Sequence, residues 1–348
     1  PAQIKSPKVT VIIPHWNGIE ILEPCLRSLE ATKYDHLEIV VVDNASSDDS
    51  VAFVHREFPN VKVIQNTENL GFAGGCNVGL REVESDYYLV LNNDTTHDSD
   101  WISPLVEQME IDSSIAAVQP KIMSAQNPEV FDYAGGVGGL IDILAFPYAL
   151  GRIFTTTEKD DGYYDIPRDI FWASGTALLI RGAALQDVGL FDEDFFAHME
   201  EIDLCWRFHN AGWRVVNAPK SRIFHHSGWT LPPDRYQKKY LNHRNNLMMI
   251  IKNYPFAYLA AIFPARLVLE GVAFVFSALI RDWKRMAAIT MAIGWNLFHP
   301  FLLIKKHKEA GKKRKPQAVA ATLRRMYGGS IFFQYFIRGQ KRARDIEV

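Results

Sequence analysis

The stretch "YYLVLNNDTTHDSDW", residues 87 to 101, runs as an apolar strand and stops on Asn92, Asn93 and Asp94. Oxygen-bearing side chains at the end of a buried strand either turn a corner, for which Asn and Asp are common, or present ligands. A hard divalent cation bound to a diphosphate takes few protein carboxylates, because phosphate oxygens complete its shell. One or two side chains at a strand end meet that need. Asp43 closes a second apolar run, "VVVD", where a carboxylate can accept hydrogen bonds from a base or a ribose. In "FAHMEEIDLCWR", Glu200, Glu201 and Asp203 precede Arg207. Asp203 and Arg207 are four apart and suit an ion pair on a helix. Glu200 and Glu201 fall at the helix start, where the helix dipole favours carboxylates even without a function. A carboxylate delivered beside a bound donor is also what a general base requires. The doubled His225–His226 could supply an imidazole metal ligand or hydrogen-bonded filler. Glycines in "NLGFAGGCNVG", residues 69 to 79, allow backbone N–H groups to approach phosphate or sugar oxygens. They serve a tight turn and close helix packing equally well.

The elements that must position these residues alternate through the first 120 positions. "VTVIIP", "LEIVVVD", "VKVIQ" and "YYLVLN" read as strands, and "EILEPCLRSLEA", "SSDDSVAFVHREF" and "FAGGCNVGLREV" as helices. That alternation predicts a parallel sheet with helices on both faces, whose ligands bind at the carboxyl ends of the strands. Pro14 to Asn17, Asp43 to Ser46 and Asn92 to Asp94 then share one edge. Residues 121 to 170 read as irregular, with "AGGVGGL" and "TTTEKDDGYY" as loops. Farther on, Glu201 to Ala211 reads as a helix terminated by Gly212, and "WRVVNAP" as a strand. A dinucleotide-binding dehydrogenase requires G-x-G-x-x-G after the first strand, where this chain has "IIPHWNG". A nucleotidyltransferase requires a basic, glycine-rich phosphate loop there, and "PHWNGIEI" holds no Lys or Arg.

The chain has 348 residues, 48% hydrophobic and 22% charged, enough for one large or two ordinary domains. Cys25, Cys76 and Cys205 are far apart and form no disulfide framework, which suits a reducing cytoplasm. No basic segment followed by an apolar one opens the chain as a cleaved signal does. Charge is divided: residues 1 to 280 carry 22 Lys/Arg against 36 Asp/Glu, and residues 281 to 348 carry 16 against 4. Apolar runs "PFAYLAAIFPARLVLEGVAFVFSALI" and "MAAITMAIGWNLFHPFLLI" lead into "KKHKEAGKKRK". Apolar helices bordered by Lys clusters point to an anionic membrane surface and away from nucleic acid. Pro264, Arg266, Glu270, Asn296, His299 and Pro300 interrupt those runs, which weakens a spanning assignment and favours helices lying in the interface. One or two spans, or core helices of a second domain, stay open. Arg266 and Glu270, four apart, could pair on one helix face.

The segments "VTVIIPHWNG", "VVVDNASSDDS", "NLGFAGGCNVG", "LVLNNDT", "SGTALLIRGAAL", "GLFDEDFF" and "EEIDLCWR", in this order, resemble family 2 glycosyltransferases with the GT-A fold, most closely their rhamnosyltransferase-like branch. The resemblance runs over roughly residues 7 to 230. It implies an α/β fold with a mostly parallel sheet flanked by helices: a GT-A domain at 1–230, with a nucleotide-sugar half at 1–120 and an acceptor half at 121–230. A helical, basic, membrane-associating region at 231–348 follows. It further implies that Asp43 contacts the nucleotide, in a donor pocket with Pro14, Asn17, Asn44, Asn69, Gly71, Gly74, Asn77, Asn92 and Asn93. Asp94 would hold Mn²⁺ or Mg²⁺ through the family's D-x-D position, with Asn92 where many members have Asp and His225 as a third ligand. Glu201 would be the base, with Glu200 its rival, and Trp172, Ser174, Gly175 and Asp192 would meet the acceptor. Trp172, Trp206 and Trp229 either face sugar rings or belong to the core.

The activity implied is inverting, metal-dependent transfer of a sugar from a nucleoside-diphosphate sugar to a hydroxyl of a saccharide or lipid-linked saccharide. The leading donor is dTDP-L-rhamnose, otherwise a UDP-sugar, and the implied location is the cytoplasmic face of the plasma membrane. A non-catalytic glycan-binding or scaffold protein of the same fold, and a nucleotidyltransferase, are the alternatives. The acids at 43, 94, 200 and 201 speak against the scaffold.

Overall fold

The computed structural model describes residues 6–226 and 235–346. Strand β1 (Val9–His15) is followed by α1 (Ile19–Glu30), β2 (Leu37–Asp43), α2 (Ser50–Glu57), β3 (Lys62–Gln65), α3 (Gly71–Glu82), β4 (Tyr87–Leu91) and β5 (Thr95–His97). The chain continues through α4 (Ser103–Ile111), β6 (Ile115–Ser124), β7 (Gly139–Ile141), β8 (Pro147–Ala149), β9 (Arg152–Ile153) and β10 (Thr156–Thr157). Then come β11 (Ala177–Arg181), α5 (Gly182–Val188), α6 (Glu200–Asn210) and β12 (Arg214–His225). Six helices close the chain: α7 (Tyr236–Asn253), α8 (Phe256–Leu279), α9 (Trp283–Phe298), α10 (Pro300–Lys313), α11 (Pro316–Arg324) and α12 (Ile331–Phe336).

The main sheet has eight strands in the order β3-β2-β1-β4-β11-β6-β12-β5. Val- and Ile-rich β1 is buried on both faces, as a central strand covered by helices must be. Leu22, Cys25, Leu26 and Leu29 of α1 are buried at helical spacing. The pairs β2–β3, β1–β2, β1–β4 and β6–β12 are parallel. Because β11 runs antiparallel to both β4 and β6, and β5 to β12, the sheet is mixed. The parallel part carries the three predicted strand ends to one edge. Helix α3 lies so close to the sheet that a Cβ on Gly79 would come within 2.5 Å of Ile12.

Residues 121 to 170 differ from the loops expected. Strands β7 to β10 form a separate four-stranded sheet whose members are two or three residues long. Strands that short show no alternation to read. Gly139 is required there because a Cβ would fall about 2.0 Å from the Trp172 indole.

The core does not divide at residue 230. Met248, Met249, Ile250 and Tyr254 of the α7 segment, Leu303, Met326, Ile331 and Tyr335 share one cluster with Phe171, Leu204 and Trp206. A buried ion network crosses the same boundary. Lys252 lies 2.7 Å from Asp192 and 2.8 Å from Asp203, and Lys306 lies 2.6 Å from Asp192. Asp203 and Arg207 pair at 2.9 Å as their spacing predicted. Helices α8 and α9 differ from the rest. Of α8, only Arg266, Glu270 and Ser277 are buried, while Val268, Val272, Val275, Phe276 and Leu279 are exposed. Helix α8 is long and apolar enough to cross a membrane, with mean hydropathy 1.9, and α9 and α10 pass the same test only as a pair bent by 75°.

Candidate functional site

The donor edge is built by short-range bonds between side chains and backbone. Asn17 takes left-handed backbone, φ 55°, and its carboxamide oxygen accepts from the Ser47 and Asp48 N–H groups. Gly18 N–H donates to Asp48. The loops after β1 and β2 are thereby laced into one rim. Asp43 is buried and accepts from the Ser46 N–H, shaping a turn in which Ala45 is also left-handed, φ 60°. Asn44 donates to the Gly71 carbonyl and accepts from Asn66. Asn69 accepts from the Gly71 N–H at the start of α3. Pro14 is half-buried and lies 3.0 Å from where a Gly75 Cβ would stand.

Several residues expected to touch the donor are occupied elsewhere. Asn77 is buried and bonds Phe191 N–H and carbonyl, clasping α3 to the segment ahead of α6. Asn93 is buried against His15, whose other ring nitrogen faces Ser50. Gly71 and Gly74 serve packing: Cβ atoms there would come within 2.4 Å of the Phe196 carbonyl oxygen and 2.6 Å of Leu70. Asn77, Asn93, Gly71 and Gly74 are therefore held in structural roles.

At the end of β4, Asp94 is buried beside β12. His225 Nε2 lies 3.1 Å from Asp94 Oδ1, and Nδ1 lies 2.8 Å from Asp132 Oδ1. Burial pulls the imidazole down, but the Asp94 and Asp132 carboxylates outweigh it and raise it to about 10. A protonated imidazole is thus favoured between the two carboxylates. Asp132 stands behind His225 as a carboxylate that fixes a metal-ligating histidine does. Among the described residues no cluster of three or more His, Cys, Asp or Glu could hold a metal. Asp94 and His225 fit the expected cation. Asn92 is half-buried at the same strand end, its backbone bonded to Thr176.

That bond brings the loop Ser174–Thr176 to the strand end. Ser174 is buried, takes an N–H bond to Gln119 and donates to the Ala134 carbonyl. A Cβ on Gly175 would lie 3.1 Å from Phe72 and 3.9 Å from Glu201 Cβ. Loop 174–176 is thus the bridge between the Asp94 edge and Glu201. Two expected acceptor residues lie elsewhere. Trp172 is buried, its indole donating to the Leu140 carbonyl, so it offers no ring face. Asp192 is committed to Lys252 and Lys306. Trp206 is likewise in the core, and Trp229 lies outside the described residues.

Glu200 and Glu201 open α6. Each has a buried Oε2 with no hydrogen-bond partner, and unpaired buried carboxylates are rare outside functional sites. Burial, then the neighbouring Glu201 charge, pushes Glu200 well above the usual carboxylate range. Burial raises Glu201 to about 7 against the pull of backbone N–H groups, which suits a base at neutral pH. The preceding loop is strained: Phe196, His198 and Met199 have φ of 63°, 70° and 75°, each costing about 1–3 kcal/mol. His198 has a buried, unpartnered Nε2 and is lowered to about 4 by burial and the Lys238 charge. Asp132, His198 and the α7 residues around Asn245 were not singled out from sequence. Asp132 and His198 sit in loops with no periodic pattern.

Residues 10–162 match the pattern described as "Glycosyl transferase family 2", and residues 87–305 match "Glycosyl transferase family group 2". The chain belongs to the family 2 glycosyltransferases. It is 24% identical over 243 residues, 66% of its length and 79% of the relative's, to the N-acetylglucosaminyl-diphospho-decaprenol L-rhamnosyltransferase of Mycobacterium tuberculosis. Its fold resembles GalNAc-T7 solved with UDP, GalNAc and Mn²⁺: TM-score 0.61, 16% identity, 85% of this chain and 58% of that one. It also resembles the mannosyltransferase PcManGT from Pyrobaculum calidifontis in complex with GDP-Man and Mn²⁺: TM-score 0.53, 16% identity, 92% of this chain and 88% of that one.

Proposed function

We propose that this enzyme transfers a sugar from a nucleoside-diphosphate sugar, with inversion at the anomeric carbon, to a saccharide or lipid-linked saccharide of the cell envelope. The observation that carries the reading is the junction at Gly175, where Glu201 stands beside the loop bonded to the Asp94 strand end. The relative from Mycobacterium tuberculosis, by its name a rhamnosyltransferase acting on a lipid diphosphate, supports dTDP-L-rhamnose as the first donor to try and a lipid-linked acceptor.

The Asn17–Asp48 rim and the Asp43 turn receive the nucleoside. Asp94 and His225 would hold Mn²⁺ or Mg²⁺, and the cation would supply positive charge against the negative charge that grows on the departing diphosphate. Glu201, with a carboxyl near neutrality, takes the proton of the attacking acceptor hydroxyl. Attack from the face opposite the diphosphate breaks the anomeric C–O bond as the new one forms, so inversion needs no covalent intermediate. Release of nucleoside diphosphate from dTDP-L-rhamnose and a panel of UDP-sugars, with Mn²⁺, Mg²⁺ or EDTA, tests this. Turnover of one donor, lost on chelation and in Asp94→Ala, is expected; no turnover of any donor with lipid extract present would favour a scaffold.

We further infer that the outer face of α8 to α10 rests on an anionic membrane leaflet, at the cytoplasmic surface. Arg266 and Glu270 pair at 2.8 Å, and Glu270 meets His243 at 2.6 Å. With its charges turned inward, α8 presents an apolar outer face, and Phe298 and Phe301 at the α9–α10 bend are more than four-fifths exposed. Lys305, Lys308, Lys312 and Lys313 are exposed on α10. Apolar contact plus basic flanks is the pattern of an interfacial helix. Sedimentation with vesicles containing phosphatidylglycerol is expected, and binding to phosphatidylcholine alone is expected to be weak.

A further inference from the structure

Every carbonyl from Asp194 to Met199 is accounted for. Those of Asp194 and Phe195 accept from the Arg244 guanidinium, at 2.6 and 3.1 Å. Asn245 Nδ2 lies 2.9, 2.9 and 2.7 Å from the carbonyl oxygens of Phe195, Ala197 and His198. Phe196 accepts from Ala73 N–H on α3, and Met199 from Asp203 N–H within α6. The loop 196–199, with positive φ at Phe196, His198 and Met199, is therefore held from two sides, by α3 and by α7 of the C-terminal region. It ends on the two unpaired acids.

We propose that Asn245 is a positioning residue for the general base, with Arg244 in support, so that the C-terminal helices are part of the catalytic apparatus. Three non-glycine residues with positive φ do not hold that shape by local preference. Something must over-determine it. Asn245 is wholly buried, and its Oδ1 accepts from Arg244 Nε at 2.8 Å, which aims both amide protons at the loop. Helix α9 fixes the segment from behind: Asn296 Nδ2 donates to the Arg244 carbonyl at 3.1 Å, and the Arg244 guanidinium lies 5.0 Å from the Trp295 ring. Releasing the loop lets the Glu201 carboxylate leave the line of attack and take up water. A misplacement of about 1 Å costs on the order of 100-fold in rate.

The inference rests on Glu201 as the base, and its test separates the two ideas. Asn246, the next residue, is an internal control: equally buried, it donates to Ala145 and accepts from Arg266, away from the loop. Asn245→Ala and the isosteric Asn245→Asp are expected to lower kcat for the fastest panel donor by about 10- to 100-fold with donor KM little changed. In Asn245→Ala the acid limb of kcat should move to lower pH as the base becomes solvated. Asn246→Ala should lose similar thermal stability while keeping kcat and the pH profile. Hydrogen–deuterium exchange of the free enzyme, which needs no donor, should rise across residues 194–201 in the Asn245 variants only. If Asn245→Ala does not fold, Asn245→Ser, which keeps one donor, takes its place. Unchanged exchange over 194–201, or a kcat loss no larger than in Asn246→Ala, overturns the proposal. Wild-type turnover by Glu201→Gln instead overturns the base assignment, and exchange alone then decides the clamp.

Discussion

The rim proposed to receive the donor and the loop proposed to carry the base are both irregular, both carry residues with positive φ, and they are held in opposite ways. At the rim, Asn17, Asp43 and Asn69 accept from backbone N–H groups a few residues away or in the adjacent loop, and the Gly18 N–H donates to the Asp48 carboxylate. At the base loop, the bonds come from Arg244 and Asn245, nearly fifty positions later. The rim satisfies its own polar groups, so it keeps its shape without ligand. The acids at the base loop are left with unpaired oxygens, which stores reactivity where the backbone cannot relax. A binding surface is thus built locally, and a reacting group is imposed by the tertiary structure.

If that contrast is right, lesions on the two sides have different kinetic signatures. The largest effect is expected from Glu201→Gln, which should lower kcat by about 10²- to 10⁴-fold while donor KM holds. Glu200→Gln should cost less, because burial and the neighbouring Glu201 charge favour its protonated form; equal losses would erase the distinction between the acids. Asn17→Ala removes the bonds that tie the loops after β1 and β2. It should raise donor KM by roughly 5-fold, about 1 kcal/mol, and spare kcat. A kcat effect there would break the division of labour.

The smallest effect is thermal. Glu201 holds its proton up to about pH 7 in the folded protein and only to the usual carboxylate range when unfolded. Ionising it in the fold costs stability, and that cost develops as pH rises from about 4.5 to 7. Glu201→Gln should therefore raise Tm by roughly a few degrees at pH 8 and leave it unchanged at pH 4. A Tm gain at both pH values would mean the effect is packing and not charge.

Much of the parallel half was legible because its strands are continuous Val/Ile runs and its helices have clean apolar spacing. The ends of β1, β2 and β4 could be placed on one edge from that alternation. Asp203–Arg207 and Arg266–Glu270 were legible because four residues is one helical turn. Strands β7 to β10 were not, since strands of two or three residues carry no period. Asn77 and Gly71 were assigned to the donor because their types suit phosphate contact. Their real constraints, the Phe191 backbone and the Phe196 carbonyl, come from more than a hundred residues away.

Sequence alone determined the family, the parallel strand edge, the acids at 43, 94, 200 and 201, and the apolar, basic character of the C-terminal region, because each is written in residue type at short spacing. Only the tertiary structure decided that His225 lies between Asp94 and Asp132, that Trp172 and Asp192 belong to the scaffold, and that α7 grips the loop ahead of Glu200 and Glu201. Those are pairings between distant segments, and a side chain's partner across the fold depends on where the whole core brings it.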